Sequence, residues 1–202
     1  MPSPRPKRPV ALGKTRPPRL GRVFGRDRLF DAIDASPAAA VWITGPPGIG
    51  KTTLVATYLQ SRTMPCLWLQ LDAGDADPAS FAHFLQLAAA LPKPTGTRPR
   101  ALSPPSAYDL RDVPAYVRRC MRRLAAEQQL PWALVLDNVQ ELGAAPGLHS
   151  GVAAALAELP EGARVFAISR EPPPSAYARA MASQQLELID ETLLRFDDND
   201  AQ

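Results

Sequence analysis

The chain has 202 residues, of which 46% are hydrophobic and 21% are charged, and these proportions predict one soluble globular domain with a single core. Its two cysteines, Cys66 and Cys120, are too few for a disulfide framework or a zinc site. No apolar run is long enough to cross a membrane, and the N-terminus lacks a secretion signal, so we expect a cytoplasmic protein without a membrane partner.

The first twenty residues are predicted to form a basic, proline-rich leader. They contain six prolines, six Lys or Arg residues and no acid, so the formal net charge of +3 becomes −3 for the other 182 residues. This composition cannot bury apolar surface and predicts a disordered, solvated leader over residues 1–20. Because the leader has no aromatic residue to stack on bases, we expect its contact with DNA to be weak.

Residues 21–36 predict a turn followed by a short amphipathic helix that leads into a strand. Leu29, Phe30 and Ile33 recur at helical spacing and are expected to face the core. Arg26 lies just before this helix, where the chain can fold over a nucleotide base, and an exposed turn arginine is the alternative.

The most informative stretch begins at residue 45 and matches the phosphate-binding loop pattern G-x-x-x-x-G-K-[ST] throughout. A short apolar run at residues 40–44 precedes it, and apolar residues at helical spacing follow it, so the order is strand, loop and helix. Its glycines allow backbone dihedrals with which successive N–H groups can wrap a phosphate at the helix N-terminus. The residues expected to bind the nucleotide are Gly45, Pro46, Pro47, Gly48, Ile49, Gly50, Lys51, Thr52 and Thr53.

The polar residues of this loop predict a site for ATP and Mg²⁺. Lys51 is expected to reach the β- and γ-phosphates, and Thr52 to place its hydroxyl on the metal ion. Pro46 and Pro47 have no amide hydrogen, but they lie early in the loop and leave the amides of residues 48–52 free.

The next segments predict supporting structure. Residues 65–71 indicate a second strand, and residues 78–90 indicate a helix. The acidic turn at residues 72–77 resembles a metal site in composition, but capping and turn formation explain its carboxylates. The proline-rich stretch at residues 92–106 predicts a surface loop within the domain.

Residues 108–129 predict an amphipathic helix that carries a cluster of arginines. Apolar residues recur at helical spacing, with Arg118, Arg119, Arg122 and Arg123 between them. We interpret the cluster as a solvated helix face, and the alternative is a contact with another domain or an acidic partner.

Residues 132–138 form an almost unbroken apolar run that ends in Asp137 and Asn138. This run predicts a central strand of a parallel sheet, with Asp137 at its C-terminal edge holding Mg²⁺ through water. Asn138 stands where many related ATPases carry a second acid, and an amide accepts a proton poorly, so we expect slow hydrolysis. Glu141 is the nearest carboxylate that can substitute, and a surface acid at the strand exit is the alternative.

The last predicted strands place one more charged residue at the site. Residues 163–170 indicate a strand that ends in Arg170, after an alanine-rich helix at residues 147–159. Because strand ends line the ligand crevice of a parallel sheet, Arg170 is expected to sense the γ-phosphate, with an exposed strand-end arginine as the alternative. A short helix near residues 176–181 and a strand at residues 185–189 follow.

Taken in order, these motifs resemble the signal-transduction ATPases with numerous domains (STAND), in particular large ATP-binding bacterial transcription regulators of the LuxR-like and bacterial transcriptional activator type. The motifs lie within residues 20–198 and are RDRLFDAID, ITGPPGIGKTTL, LWLQLDAGDADPASF, LVLDNVQEL, LPEGARVFAISREPPP and LELIDETLLRF. The resemblance implies a three-layer α/β P-loop NTPase domain of the ASCE/STAND type over residues 21–198. It also implies a mostly parallel sheet of about five strands in the order 5-1-4-3-2, followed by a tail at residues 199–202.

The same resemblance implies an ATP-driven switch. In this family the nucleotide lies between the P-loop domain and a following helical and winged-helix unit, and the ATP-bound state oligomerises. We therefore predict a slowly hydrolysing nucleotide switch, a weak ATPase, from a signal-transducing transcription regulator. Its expected partners are a nucleotide and either further copies of itself or regulator domains outside this sequence, from which the chain is expected to be a module truncated after the NTPase core.

Two other functions stay open from the sequence. The chain can be an interaction module that binds a nucleotide only to fold and has no turnover. It can also be a small-molecule kinase, which is disfavoured because no arginine-rich lid segment follows the loop and no acceptor site is recognisable.

Overall fold

A five-stranded parallel sheet forms the centre of the computed structural model, which describes residues 13–21, 25–89 and 103–195. The strands are β1 (Ala40–Thr44), β2 (Cys66–Gln70), β3 (Trp132–Asp137), β4 (Ala163–Ser169) and β5 (Leu186–Ile189). Neighbouring strands are parallel throughout, in the order β2-β3-β4-β1-β5. This is the predicted order read from the opposite edge, so the predicted fold is confirmed.

Helices cover both faces of the sheet, which gives three layers. The helices are α1 (Asp27–Ala35), α2 (Lys51–Ser61), α3 (Pro78–Ala89), α4 (Val113–Ala126), α5 (Pro146–Leu156), α6 (Ala178–Ala182) and α7 (Glu191–Leu194). Successive strand residues point to opposite faces: Val41 and Ile43 pack with α1, α2 and α7, whereas Ala40 and Trp42 pack with α3 to α6. Burial on both faces explains why β3 is apolar along almost its whole length.

The acidic turn after β2 caps local structure, as predicted. The Asp72 carboxylate accepts a hydrogen bond from the Gly74 amide, and the Asp75 carboxylate accepts one from the Asp72 amide. The carboxylate of Asp77 accepts from the Ser80 amide at the start of α3. Within the ranges that the structure describes, no group of three His, Cys, Asp or Glu residues is arranged to hold a metal ion.

The N-terminal segment, residues 13–20, differs from its prediction. Lys14 Nζ lies 2.6 Å from a carboxylate oxygen of both Asp72 and Asp75 and 4.1 Å from the centroid of the Phe84 ring. Thr15 is buried, and the turn Gly13–Thr15 contacts β2, an edge strand of the sheet. The expectation of a solvated leader therefore does not hold for this segment, because the lysine meets a buried carboxylate that composition alone cannot reveal. Residues 1–12 lie outside the described residues.

The arginine cluster of α4 is engaged in ion pairs within the domain. The pairs are Arg118 and Arg122 with Glu158, Arg119 with Asp109, and Arg123 with Glu127. The cluster is therefore neither purely solvated nor in need of an external acidic partner. Such partly exposed pairs each add little to stability.

Two further expectations fall partly beyond the described ranges. Of the predicted surface loop, residues 92–102 lie outside them, and so does the predicted tail at residues 199–202. Among the helices of the described ranges, none has the length and apolar character needed to cross a membrane.

Helices α4 and α5 approach each other most closely at Gly151. A Cβ atom at this position would lie 2.6 Å from Val117 Cβ and 2.9 Å from the carbonyl oxygen of Pro114. Contacts this short cannot be relieved by a side-chain rotation, because one of the two partners is backbone.

We predict that Gly151→Ala lowers the free energy of unfolding by about 1–3 kcal/mol, because an overpacked helix contact has to move apart. The loss should appear although alanine is the better helix former. Chemical denaturation followed by circular dichroism measures it. Ala154→Leu, on the exposed face of α5, is the control and should change the free energy by less than about 0.5 kcal/mol. A Gly151→Ala variant as stable as the parent would show that this approach does not limit the packing.

Candidate functional site

The C-terminal ends of three strands form one cavity. Thr44 at the end of β1 pairs with Ser169 at the end of β4, and Asp137 at the end of β3 pairs with Ile168. Because parallel strands end at the same edge of a sheet, the segments that follow them meet there. The cavity has a volume of about 310 Å³ and is lined by Pro47, Gly48, Gly50, Lys51, Thr52, Thr53, Asn138, Gln140, Ile168, Ser169 and Arg170.

The loop after β1 has the backbone shape that its glycines predict. Gly48 and Gly50 have φ angles of +82° and +93°, which L-residues with a side chain rarely adopt. Gly50 directly precedes α2, which begins at Lys51. The first amides of a helix have no partner within it, and the helix dipole makes this end positive. The loop and helix together therefore suit an anion such as a phosphate.

Lys51 is held over the loop. Its side chain is 8% exposed, and Nζ donates hydrogen bonds to the carbonyl oxygens of Gly45 at 2.6 Å and Pro46 at 2.9 Å. Burial lowers the pKa of Lys51, the positive charge of Arg170 lowers it further, and the negative charge of Asp137 opposes both. An anion in the cavity would therefore stabilise the charged form of this lysine.

Thr52 and Asp137 form a pair whose chemistry fits a magnesium ion. The Thr52 hydroxyl lies 3.2 and 3.3 Å from the two carboxylate oxygens of Asp137. Asp137 is 4% exposed, and burial raises its pKa despite the hydrogen bonds from Thr52 and the Asn138 amide and the charge of Lys51. Hydroxyl and carboxylate oxygens are the ligands that Mg²⁺ prefers, and a nearby cation would offset the cost of burying this carboxylate.

The turn after β3 places two amide side chains, and no acid, at the cavity. Asn138 lines the cavity with a φ angle of +63°. Gln140 lines it too, and its Oε1 accepts a hydrogen bond of 3.0 Å from the Arg170 amide. Glu141 is in the same turn, Val139–Leu142, but is not among the residues that line the cavity. The sequence prediction missed Gln140, although its place three residues after Asp137 was a usable signal.

Arg170 lies where it was expected. It follows β4, lines the cavity, and is close enough to Lys51 for its charge to affect the pKa of that residue. Its backbone is fixed by Gln140 on the neighbouring turn. An anion bound beside Lys51 would therefore also lie within the field of the Arg170 guanidinium.

Arg26 lies elsewhere than predicted. Its side chain is 7% exposed, and it donates hydrogen bonds to the carbonyl oxygens of Ile49 at 3.3 Å and Leu194 at 2.8 Å. It is not among the residues that line the cavity. Both carbonyl partners belong to the backbone, and for that reason residue types alone did not indicate them.

The comparisons with known proteins were made with this geometry in hand. A family model described as the AAA ATPase domain matches residues 20–168. No curated protein sequence matches.

Two solved structures resemble the chain. One is a Signal Transduction ATPase with Numerous Domains (STAND) protein with a tetratricopeptide repeat sensor from Pyrococcus horikoshii, with a TM-score of 0.60 and 17% identity over 96% of this chain. The chain spans 26% of that protein, and the likeness shows the fold. The other is the Aeropyrum pernix ORC1 protein in complex with DNA, with a TM-score of 0.47 and 16% identity over 83% of this chain and 45% of that one.

We predict that Asp137→Asn raises the thermal midpoint of the protein at pH 7 in the absence of nucleotide and divalent metal. The pKa of Asp137 is higher in the fold than in the unfolded chain, so deprotonation favours unfolding. This cost is complete above the folded pKa and vanishes below the unfolded pKa. The advantage of the variant should therefore shrink as the pH falls from 7 to 4.

The control is Asp109→Asn, since hydrogen bonds from Ser106 lower the pKa of Asp109. The native carboxylate is stabilising there, so this variant should melt below the parent at pH 7, with the difference shrinking toward acid. Thermal unfolding followed by circular dichroism in EDTA measures both. An Asp137→Asn variant that melts below the parent at pH 7 would contradict a destabilising buried carboxylate.

Proposed function

The chain belongs to the AAA ATPase domain family, and we propose that it is a nucleotide switch that binds ATP with Mg²⁺ and hydrolyses it slowly. One observation carries the proposal. Lys51, Thr52 and Arg170 converge on a single cavity, and no residue that lines it in the described part of the chain carries a carboxylate. The site therefore has the groups that bind a triphosphate and lacks a strong base in contact with it.

Each predicted site residue has a role in this proposal. The loop amides and Lys51 bind the phosphates, with Lys51 exchanging the carbonyls of Gly45 and Pro46 for phosphate oxygens. Thr52 and Asp137 hold the magnesium ion, which when bound neutralises charge on the phosphates. Arg170 adds a positive charge at the strand edge, where the terminal phosphate is expected.

Slow hydrolysis follows from the amides at the end of β3. Asn138 and Gln140 can donate hydrogen bonds to a water molecule and orient it, but an amide accepts its proton poorly. The same observation favours a second candidate, a module that binds the nucleotide without hydrolysing it. Measurable turnover that depends on Lys51 distinguishes the two.

We further propose that the switch serves a signal-transducing transcription regulator in the cytoplasm. The motif order within residues 20–198 and the STAND-like fold support this role. The partners would be a nucleotide and either further copies of the chain or regulator domains outside this sequence, with direct DNA contact weak at most. Such a switch works if ATP and ADP differ in affinity for its two states.

We predict that Lys51→Ala weakens binding of a non-hydrolysable ATP analogue with Mg²⁺ by about 10- to 100-fold, because one charge-assisted contact to phosphate is lost. Isothermal titration calorimetry measures the affinity. Arg62→Ala removes a cation at the other end of the same helix and should leave the affinity unchanged. Equal affinities of the Lys51 variant and the parent would refute nucleotide binding at this loop.

We predict that Asn138→Asp raises the rate of phosphate release about tenfold, since a carboxylate accepts a proton from water far better than an amide. Aspartate tolerates the left-handed backbone of this position. Glu141→Gln should leave the rate of the parent unchanged, because Glu141 does not line the cavity. A coupled phosphate assay measures all three proteins. Loss of turnover in the Glu141 variant would make that residue the base, and no turnover in the parent would favour the non-hydrolysing module.

A further inference from the structure

One buried guanidinium joins the phosphate loop to the C-terminal helix α7. Arg26 donates to the carbonyl oxygen of Ile49, 23 positions away in the loop, and to that of Leu194, 168 positions away at the end of α7. Its side chain is 7% exposed. Hydrogen bonds from a charged donor are stronger than neutral ones, and more so where water is excluded.

Helix α7 also packs directly against the loop. A Cβ atom placed on Gly45 would lie 3.6 Å from both Glu191 Cβ and Leu194 Cδ1. Leu194 is fully buried in the cluster that contains β1 and α2. The start of α7 is fixed by the Asp190 carboxylate, which accepts hydrogen bonds from the Thr192 and Leu193 amides. The helix and the loop thus share one packed interface, with the Arg26 guanidinium across it.

The carbonyl that Arg26 holds belongs to the residue between Gly48 and Gly50. Those two glycines have left-handed dihedrals, so the peptide groups between them determine where the loop amides point. Lys51 secures the opposite side of the loop through Gly45 and Pro46. Without the arginine, the Ile49 carbonyl would lose its charged partner and the loop would gain freedom that a bound phosphate must then remove.

We propose that Arg26 is a positioning residue that shapes the phosphate loop and couples nucleotide binding to α7, and not a residue that contacts the base. The proposal rests on the proposed nucleotide binding at this loop. Arg26 acts through the backbone carbonyls of Ile49 and Leu194, so a ligand that fixes the loop also fixes the end of α7. This is a coupling between two sites, and it has to be reciprocal.

The test compares Arg26→Lys with Arg28→Ala. Lysine keeps the charge but lacks the planar fork that serves two carbonyls at once. Arg28 also donates to α7, at the Leu193 carbonyl, from an exposed position. It therefore provides a matched loss of an arginine contact to the same helix. Arg26→Gln is the second variant, used if the lysine variant does not fold by circular dichroism.

Hydrogen exchange is measured with and without ADP and Mg²⁺ at peptides that cover the loop and α7. In the parent and in Arg28→Ala, we expect ADP to slow exchange in both segments. In Arg26→Lys, ADP should slow exchange in the loop alone, with affinity lowered about five- to tenfold. An Arg26 variant in which both segments respond as in the parent would overturn the coupling.

The nucleotide-free measurement separates this inference from the proposed function. If the parent binds no nucleotide, the proposed function fails, and the shaping role of Arg26 is judged from exchange without ligand. Arg26→Lys should then exchange faster than the parent in the loop and in α7, whereas Arg28→Ala should leave the loop unchanged. Loop exchange equal to that of the parent would overturn the positioning role.

Discussion

The hydrogen bonds from Lys51 to the carbonyl oxygens of Gly45 and Pro46 are the interaction on which the site depends. They close the phosphate loop on itself and place a buried ammonium group at its centre. The loop can take this shape only because its glycines accept left-handed dihedrals. The sheet holds one end of the loop, α2 holds the other, and Arg26 fixes the carbonyl between them.

The site is electrostatically costly without a ligand. Burial shifts the pKa values of Lys51 and Asp137 toward their neutral forms, downward for the lysine and upward for the carboxyl. A triphosphate would stabilise the charged lysine and a magnesium ion the charged carboxylate, so ligand binding and folding stability are linked. The nearby amides of Asn138 and Gln140 add polarity without adding a base. These features favour retention of a nucleotide over its rapid consumption.

Much of the fold followed from short-range patterns, and the differences came from long-range contacts. The phosphate loop, the apolar strand that ends in Asp137 and the position of Arg170 were predictable, because strand runs, helical spacing and strand ends are local features. The strand order came from the resemblance of the motifs to a known family. Lys14 was predicted to be solvated, but a buried carboxylate remote in sequence holds it. Gln140, and not Glu141, reaches the cavity because the turn after β3 determines which side chain faces inward.

The sequence by itself determined the chemistry at the phosphate loop and the acid at the end of β3. These depend on residue type and on spacing along a few neighbouring positions, and glycine dihedrals, helix period and strand polarity are all readable there. Only the tertiary structure decided what holds the loop. Arg26 reaches it and α7 through backbone carbonyls, which every residue possesses and no sequence pattern marks. The contact therefore exists only once the sheet has brought β1 and β5 side by side.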